Sequence, residues 1–344
     1  MKLPLLDMTL DQLRARLEEI PAPAYRADQL ADWVYRKGAT DPATMTNIPA
    51  DLRDRVTILT SRVAAQAQSS DGSLKLLVEY EDGQQVETVL IPTDNRVTAC
   101  LSTQAGCAMG CRFCASAAGG WARNLTAGEI LQQVLHLQKV SGQRVNHVVF
   151  MGMGEPLANY NATLAAVRAL IDPQRFGLSA RSVTISTVGL PAGIRRLARE
   201  DLPITLAISL HAPNDPLRRE LIPAAESVTI DEIIDAATEF FDARKREVTL
   251  EYLLIADVND SALCAEGLAN IARRLRCNVN LIIYNPVADL PFRQPGVEGA
   301  KAFLERLRKR GVNAHLRKSR GADIAAACGQ LRRQRQNQEP GTGE

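Results

Sequence analysis

The segment GCAMGCRFCAS, residues 106–116, places Cys107, Cys111 and Cys114 within eight residues of a 344-residue chain that has seven cysteines in all. Thiolates spaced i, i+4 and i+7 in one loop can converge on one inorganic centre. A structural zinc ion takes four nitrogen or sulfur ligands. No His or further Cys lies close by in sequence, so a zinc reading needs a remote ligand. A [4Fe–4S] cluster is held through cysteine thiolates on its irons. Three cysteines then leave one iron open for a substrate or a second cofactor, and the missing fourth ligand is the working position.

The elements around this loop change character along the chain. Residues 1–60 read as helical: MTLDQLRARLEEI has apolar residues at helical spacing behind Thr9 as N-cap, AYRADQLADWVYRKG repeats the pattern up to Gly38, and PADLRDRVTIL suggests a third short helix. SLKLLVEYEDGQQVETVLIP holds two strand-like runs on either side of Asp82-Gly83, a hairpin signal. Residues 1–92 are therefore expected to form a small N-terminal α+β accessory domain. From residue 97 on, apolar strands alternate with helices, two of which open on capping boxes at Thr126/Glu129 and Thr229/Glu232. Strands this apolar are buried on both faces, which predicts a parallel sheet in an α/β, partial or complete (β/α) barrel over residues 93–330. The polar tail 331–344 is expected to be disordered.

In such a barrel the functional groups lie at the C-terminal ends of the strands. Here those ends carry Gly154 and Glu155, Ser186 and Thr187, Ser209 and His211, and Asn285. Each has a plain structural explanation on its own: a turn before Pro156, a cap, a satisfied core histidine, a turn before Pro286. Together on one rim they argue for a site. A glycine admits a ligand close to the backbone, and a carboxylate receives an ammonium.

Composition narrows the class of protein. Apolar residues make up 46% and charged residues 23%, as in a soluble globular chain, and no apolar run reaches the length of a membrane span. The N-terminus carries early acids and no apolar core of a signal peptide, so a cytoplasmic location is expected. Seven cysteines in such a chain favour metal binding or catalysis over a disulfide framework. Net charge is only +2, but residues 301–321 are densely basic with Glu305 as the single acid. That run suits a polyanion such as RNA, or else is a solvated helix face.

Cys-x3-Cys-x2-Cys with Phe113 before the last Cys resembles the radical S-adenosylmethionine (SAM) superfamily, in which the open iron binds SAM and reduction yields a 5′-deoxyadenosyl radical. CLSTQAGCAMGCRFCASAAGG, VVFMGMGEPLANYN, SVTISTVG, AISLHAPND and SRGADIAAACGQL together resemble the RlmN/Cfr family of radical SAM RNA methyltransferases, from about residue 20 to residue 331. Ser116 and Trp121 depart from the usual residues without touching a cluster ligand.

The resemblance implies a radical SAM partial barrel with Cys107, Cys111 and Cys114 on one [4Fe–4S] cluster. It implies SAM contacts at Gly154, Glu155, Ser186, Ser209, Leu210, His211 and Asn285. It further implies Cys328 as the cysteine that becomes methylated, Cys100 as its disulfide partner and Glu87 as the proton acceptor. The implied substrates are an adenosine of 23S rRNA in the peptidyl-transferase centre and the tRNA adenosine 3′ of the anticodon, methylated on carbon 2. A flavodoxin or ferredoxin is the expected electron donor and a monomer the expected state. Methylation of carbon 8 of the same rRNA adenosine uses the same residues, and the segment MTNIPADLR favours carbon 2. A non-catalytic Fe–S RNA-binding protein would need neither Cys100, Cys328 nor Glu87. Cys264 and Cys277 match no motif and read as packing residues.

Overall fold

A row of short apolar strands, each returning through a helix, frames the molecule. The structure is a computed structural model that describes residues 2–20, 22–287 and 290–331, so the expected tail lies outside the described residues beyond Leu331. In chain order the strands are β1 (Leu3–Pro4), β2 (Val56–Thr57), β3 (Ser61–Gln68), β4 (Leu74–Tyr80), β5 (Gln85–Thr93), β6 (Arg96–Cys100) and β7 (Gln104–Gly106). They continue with β8 (Trp121–Asn124), β9 (His147–Phe150), β10 (Val183–Thr187), β11 (Thr205–Ser209), β12 (Val248–Leu254), β13 (Cys277–Ile283) and β14 (Ala314–Arg317).

β6, β9, β10, β11, β12, β13 and β14 run parallel and lie side by side in that order. Each connection therefore winds the same way, and right-handed crossovers put the helices on one face and a lumen on the other. The ring is not closed: the second neighbour of β6 is β5, not β14. The fold is thus an α/β partial barrel.

Helices Ala127–Ser141 and Ile230–Arg244 begin as their sequences predict. Thr126 Oγ1 accepts from the Glu129 N–H at 3.1 Å while Glu129 Oε2 accepts from the Thr126 N–H at 2.8 Å. Thr229 and Glu232 repeat the exchange at 3.2 and 2.8 Å. Two orphan amides are satisfied at each start, which anchors the helix without help from the core.

The N-terminal part departs from expectation in places. Thr9 caps helix Leu10–Glu18 as predicted, but only Arg26–Ala31 and Ala50–Arg53 of the next two segments are α-helical. Asp32–Arg36 continues as a wider π turn, and Val56–Thr57 pairs instead with Leu3–Pro4. The hairpin at Asp82-Gly83 forms, with Gly83 at φ +75° closing the turn. β3, which joins it, was not expected, because SRVAAQAQ has no apolar alternation; it is a half-exposed edge strand. The antiparallel β5–β6 pairing makes the hairpin and the parallel strands one ten-stranded sheet.

Candidate active site

The cysteine loop is tied to three separate elements. It leaves β7 at Gly106, whose φ of +82° and 1.8 Å approach of a virtual Cβ to the Gly120 carbonyl oxygen admit only glycine. The Cys107 N–H then bonds Gly120 O at 3.0 Å, the Arg112 N–H bonds Leu221 O at 3.0 Å and the Ala115 N–H bonds Gly329 O at 2.7 Å. Ser116 Oγ adds a 2.6 Å bond to Leu331 O. The last two bonds fasten the loop to the segment that carries Cys328.

Cys107, Cys111 and Cys114 line one cavity of about 150 Å³, and Cys111 and Cys114 pack on an apolar cluster built around Phe113, Ile222, Leu253 and Tyr284. Burial pushes the Cys107 thiol up to about 11 and the other two upward, and mutual repulsion adds to this for Cys107 and Cys111. Arg218, 1% exposed, lies near Cys111 and opposes that upward push. One of its nitrogens donates to Val188 O, while Nε and Nη1 have no partner among the described residues. A buried cation near crowded thiols favours thiolates there, and three thiolates together need a further positive centre.

The rim residues meet at this same cavity, except Asn285, which lies on a larger one. Gly154, Glu155, Ser186, Ser209 and His211 all line the smaller cavity. Gly154 lies at φ +99° with its virtual Cβ 2.6 Å from Gln104 Cβ. Glu155 is 2% exposed and accepts from the amides of Leu157 (2.9 Å) and Val188 (2.8 Å). Burial outweighs these bonds and pushes its carboxyl up to about 7. His211 accepts from the Leu253 N–H through Nδ1 at 3.0 Å, and burial drops its pKa to about 3, so the ring is neutral. Leu210 is fully buried and meets Glu251 O through its amide at 3.0 Å.

A second cavity, about 650 Å³, fills the lumen toward the N-terminal ends of the strands. Cys100, Asn285 and Cys328 line it, together with Thr98, Thr184, Thr205 and Thr249 from the inner faces of four strands. Its edge carries Arg96, Arg181, Lys318 and Arg320. Cys328, Arg317, Glu251, Met151 and Ile282 line both cavities and mark their junction. Burial, with a further push from Cys328, raises the Cys100 thiol to about 12, and the cation of Arg317 opposes this.

Glu87 lines neither cavity. It lies on β5, 2% exposed, with Oε1 2.9 Å from Lys75 Nζ. Lys75 in turn donates to Ala325 O at 3.1 Å, so Glu87 reaches the Cys328 segment through a lysine. Glu251 and Arg317 line both cavities and Arg218 lies near Cys111, three charged residues that no sequence motif singled out. The signal was present: a charged residue inside an apolar strand, as in VTLEYLLI, requires a buried partner or a ligand.

A model of the radical SAM superfamily matches residues 101–265, and one of the ribosomal RNA large subunit methyltransferase N-terminal domain matches residues 3–60. A protein of Gloeobacter violaceus named "Probable dual-specificity RNA methyltransferase RlmN" is 44% identical over 336 residues, covering 97% of this chain and 96% of the relative. One of the same name from Thermus thermophilus is 46% identical over 321 residues, covering 91% and 90%.

The chain belongs to the RlmN family.

A solved radical SAM methyltransferase from Sphaerobacter thermophilus superposes with a TM-score of 0.93 at 45% identity, covering 96% of this chain and 99% of that one. The hydrogenase maturase HydG, at 13% identity and a TM-score of 0.51, shares the fold alone. Membership of the radical SAM superfamily implies SAM and a [4Fe–4S] cluster as cofactors. The residues of this RlmN-family site fit both: thiols on one apolar wall, an unsatisfied buried guanidinium beside them and a buried carboxyl on the same cavity. Among the described residues no three His, Cys, Asp or Glu side chains gather closely enough for a single metal ion. Among the described residues no helix is long and apolar enough to cross a membrane.

Proposed function

We propose that this chain methylates carbon 2 of adenosine, in the peptidyl-transferase centre of 23S rRNA and in tRNA 3′ of the anticodon. The observation that carries the reading is the position of Cys328, which lines both cavities. It is a thiol between a wall fit for the cofactors and a chamber fit for a substrate. The family match and the printed names of the relatives support RNA as that substrate.

Carbon 2 of adenine is electron-poor and lacks a lone pair, so it cannot attack the methyl of SAM directly. In the proposed sequence Cys328 first takes a methyl from one SAM by displacement at sulfur. Cys107, Cys111 and Cys114 would hold the cluster, which together with SAM would supply the radical chemistry needed to activate the methyl group on Cys328. Glu155 takes the SAM ammonium, and Gly154, Ser186, Ser209, Leu210, His211 and Asn285 shape the rest of its site. The carbon on Cys328 would then bond to carbon 2, and the adduct would give up its unpaired electron to the oxidised electron carrier. Glu87 accepts the proton, relayed past Lys75. Cys100 attacks the Cys328 sulfur: the sulfur–sulfur bond forms, the sulfur–carbon bond breaks, and the released carbon takes up a proton to become the methyl group of the product. Burial keeps Cys100 protonated at rest, and Arg317 is the cation that favours its thiolate.

Residues 1–92 serve in this reading as an accessory RNA-binding part whose strands β3–β5 continue the sheet of the core of residues 93–330. The protein works in the cytoplasm as a monomer, with electrons from a flavodoxin or ferredoxin. The target base leaves its stack to enter the lumen. The test is mass spectrometry of 23S rRNA and tRNA from a strain lacking its own copy, with this chain added back. Appearance of 2-methyladenosine in both RNAs is the expected result; 8-methyladenosine, or no modified adenosine, overturns the reading.

A further inference from the structure

Glu251 is a carboxyl where the apolar pattern of β12 calls for an aliphatic residue. It is 4% exposed and lies at the junction of the two cavities, beside Cys328 and Arg317. Asn280 Nδ2 donates to its Oε1 at 3.1 Å, which fixes the orientation of the group. Oε2 is buried and has no hydrogen-bond partner among the described residues. An acceptor left alone in a barrel interior is destabilising, so it calls for a donor that arrives from outside. The chamber it faces, about 650 Å³, falls within the roughly 300–1,000 Å³ of small-ligand sites. Its cationic edge suits the phosphates of a nucleotide chain.

We propose that Glu251 reads the target base, with Oε2 accepting a hydrogen from the exocyclic 6-amino group of adenine while carbon 2 is presented to Cys328. The inference rests on the methyl-transfer reading above. A 6-oxo purine would set its own oxygen lone pairs against the carboxylate, so the contact selects adenosine over inosine or guanosine. Burial holds the Glu251 carboxyl above its ordinary value, with the Arg317 cation and the Asn280 donor opposing it.

The orientation set by Asn280 gives Glu251→Gln a distinctive consequence. The amide turns its single oxygen to the Asn280 donor and its NH2 into the lumen. An NH2 opposes the amine hydrogens of adenine and suits the 6-oxygen of inosine. Inosine keeps a hydrogen on carbon 2, so methylation there is scored in the same way.

The experiment is single-turnover methylation of RNA oligonucleotides that carry adenosine, inosine or purine riboside at the target position. Each rate is divided by the extent of Cys328 methylation, so that a loosened barrel cancels. Wild-type protein is expected to favour adenosine over both analogues by about tenfold or more. Glu251→Gln is expected to shift the adenosine-to-inosine ratio by about tenfold or more toward inosine and to leave purine riboside as poor as before. Wild-type protein that methylates Cys328 and treats the three bases alike overturns the inference and leaves the function standing, without any variant needing to fold. A Glu251→Gln protein that loses activity equally on all three RNAs also overturns it, because that is the signature of a purely structural residue. Wild-type protein that modifies none of the RNAs overturns the functional reading and the inference with it.

Discussion

The two halves of the lumen hold different chemistry. Toward the C-terminal strand ends, three thiols line a small cavity with the buried Glu155, two of them packed on an apolar wall near the buried Arg218. Toward the N-terminal ends, threonines, Cys100 and asparagine side chains line a larger chamber edged by Arg and Lys. Low polarity suits reactive intermediates that water would quench, while a polar chamber with a cationic edge suits a nucleotide. The difference teaches where the working thiol belongs. A group that moves carbon between such compartments has to stand at their junction, and Cys328 does.

The largest effect expected is at the thiol wall. Changing Cys107, Cys111 or Cys114 to Ala should reduce iron from about four per chain to background and abolish SAM cleavage. Iron analysis and product chromatography check this, and full activity in any of the three variants would break the contrast between the halves.

Glu155 gives a pH signature confined to the same half. Its carboxyl, pushed up to about 7 by burial, pairs with an ammonium only when ionised. SAM affinity should therefore fall as pH drops below 7, by about tenfold per unit at the limit, and Glu155→Gln should bind weakly with a flat profile. Stability of the SAM-free protein should run the other way. A folded pKa above the ordinary 4.5 favours the protonated fold, so this contribution is full below about 4.5 and is lost as pH rises through about 7. Titration calorimetry and thermal melts across pH separate the two trends.

The smallest effect sharpens the polar half. Arg308 lies 3.6 Å from Glu305, and Arg310 3.3 Å from Glu266, on and just beyond the outer helix Val297–Lys309, whereas Lys318 and Arg320 edge the chamber. Neutralising Lys318 and Arg320 should lower the log–log salt slope of RNA binding by about one to two. Neutralising Arg308, Lys309 and Arg310 should lower it less. Filter binding at several salt concentrations decides, and the reverse order would identify the helix face as the RNA surface.

The cysteine loop and the helix starts at Thr126 and Thr229 were legible because their signals are local: a spacing and a capping box. That Gly154, Glu155, Ser186, Ser209 and His211 share one cavity was legible because the strand ends of a barrel converge on one rim. The polar chamber was not, because it is built from single inward positions such as Thr184, Thr205 and Asn280 on separate strands. Only the strand register brings those side chains together, and no local pattern encodes it. Glu251 and Arg317 were visible as charges in strands, yet their partners lie on other elements. β3 was missed because an edge strand with one neighbour needs no apolar alternation.

The most direct test of a carbon carrier at the junction is the fate of Cys100→Ala during turnover. Without the attacking thiol the conjugate between Cys328 and RNA has no route to resolution. Denaturing gels with nuclease treatment, then peptide mass spectrometry, should find Cys328 covalently joined to the target adenosine. Cys328→Ala should form no conjugate and no methylated RNA while retaining the cluster. Normal product from Cys100→Ala, with no conjugate on Cys328, would contradict the account.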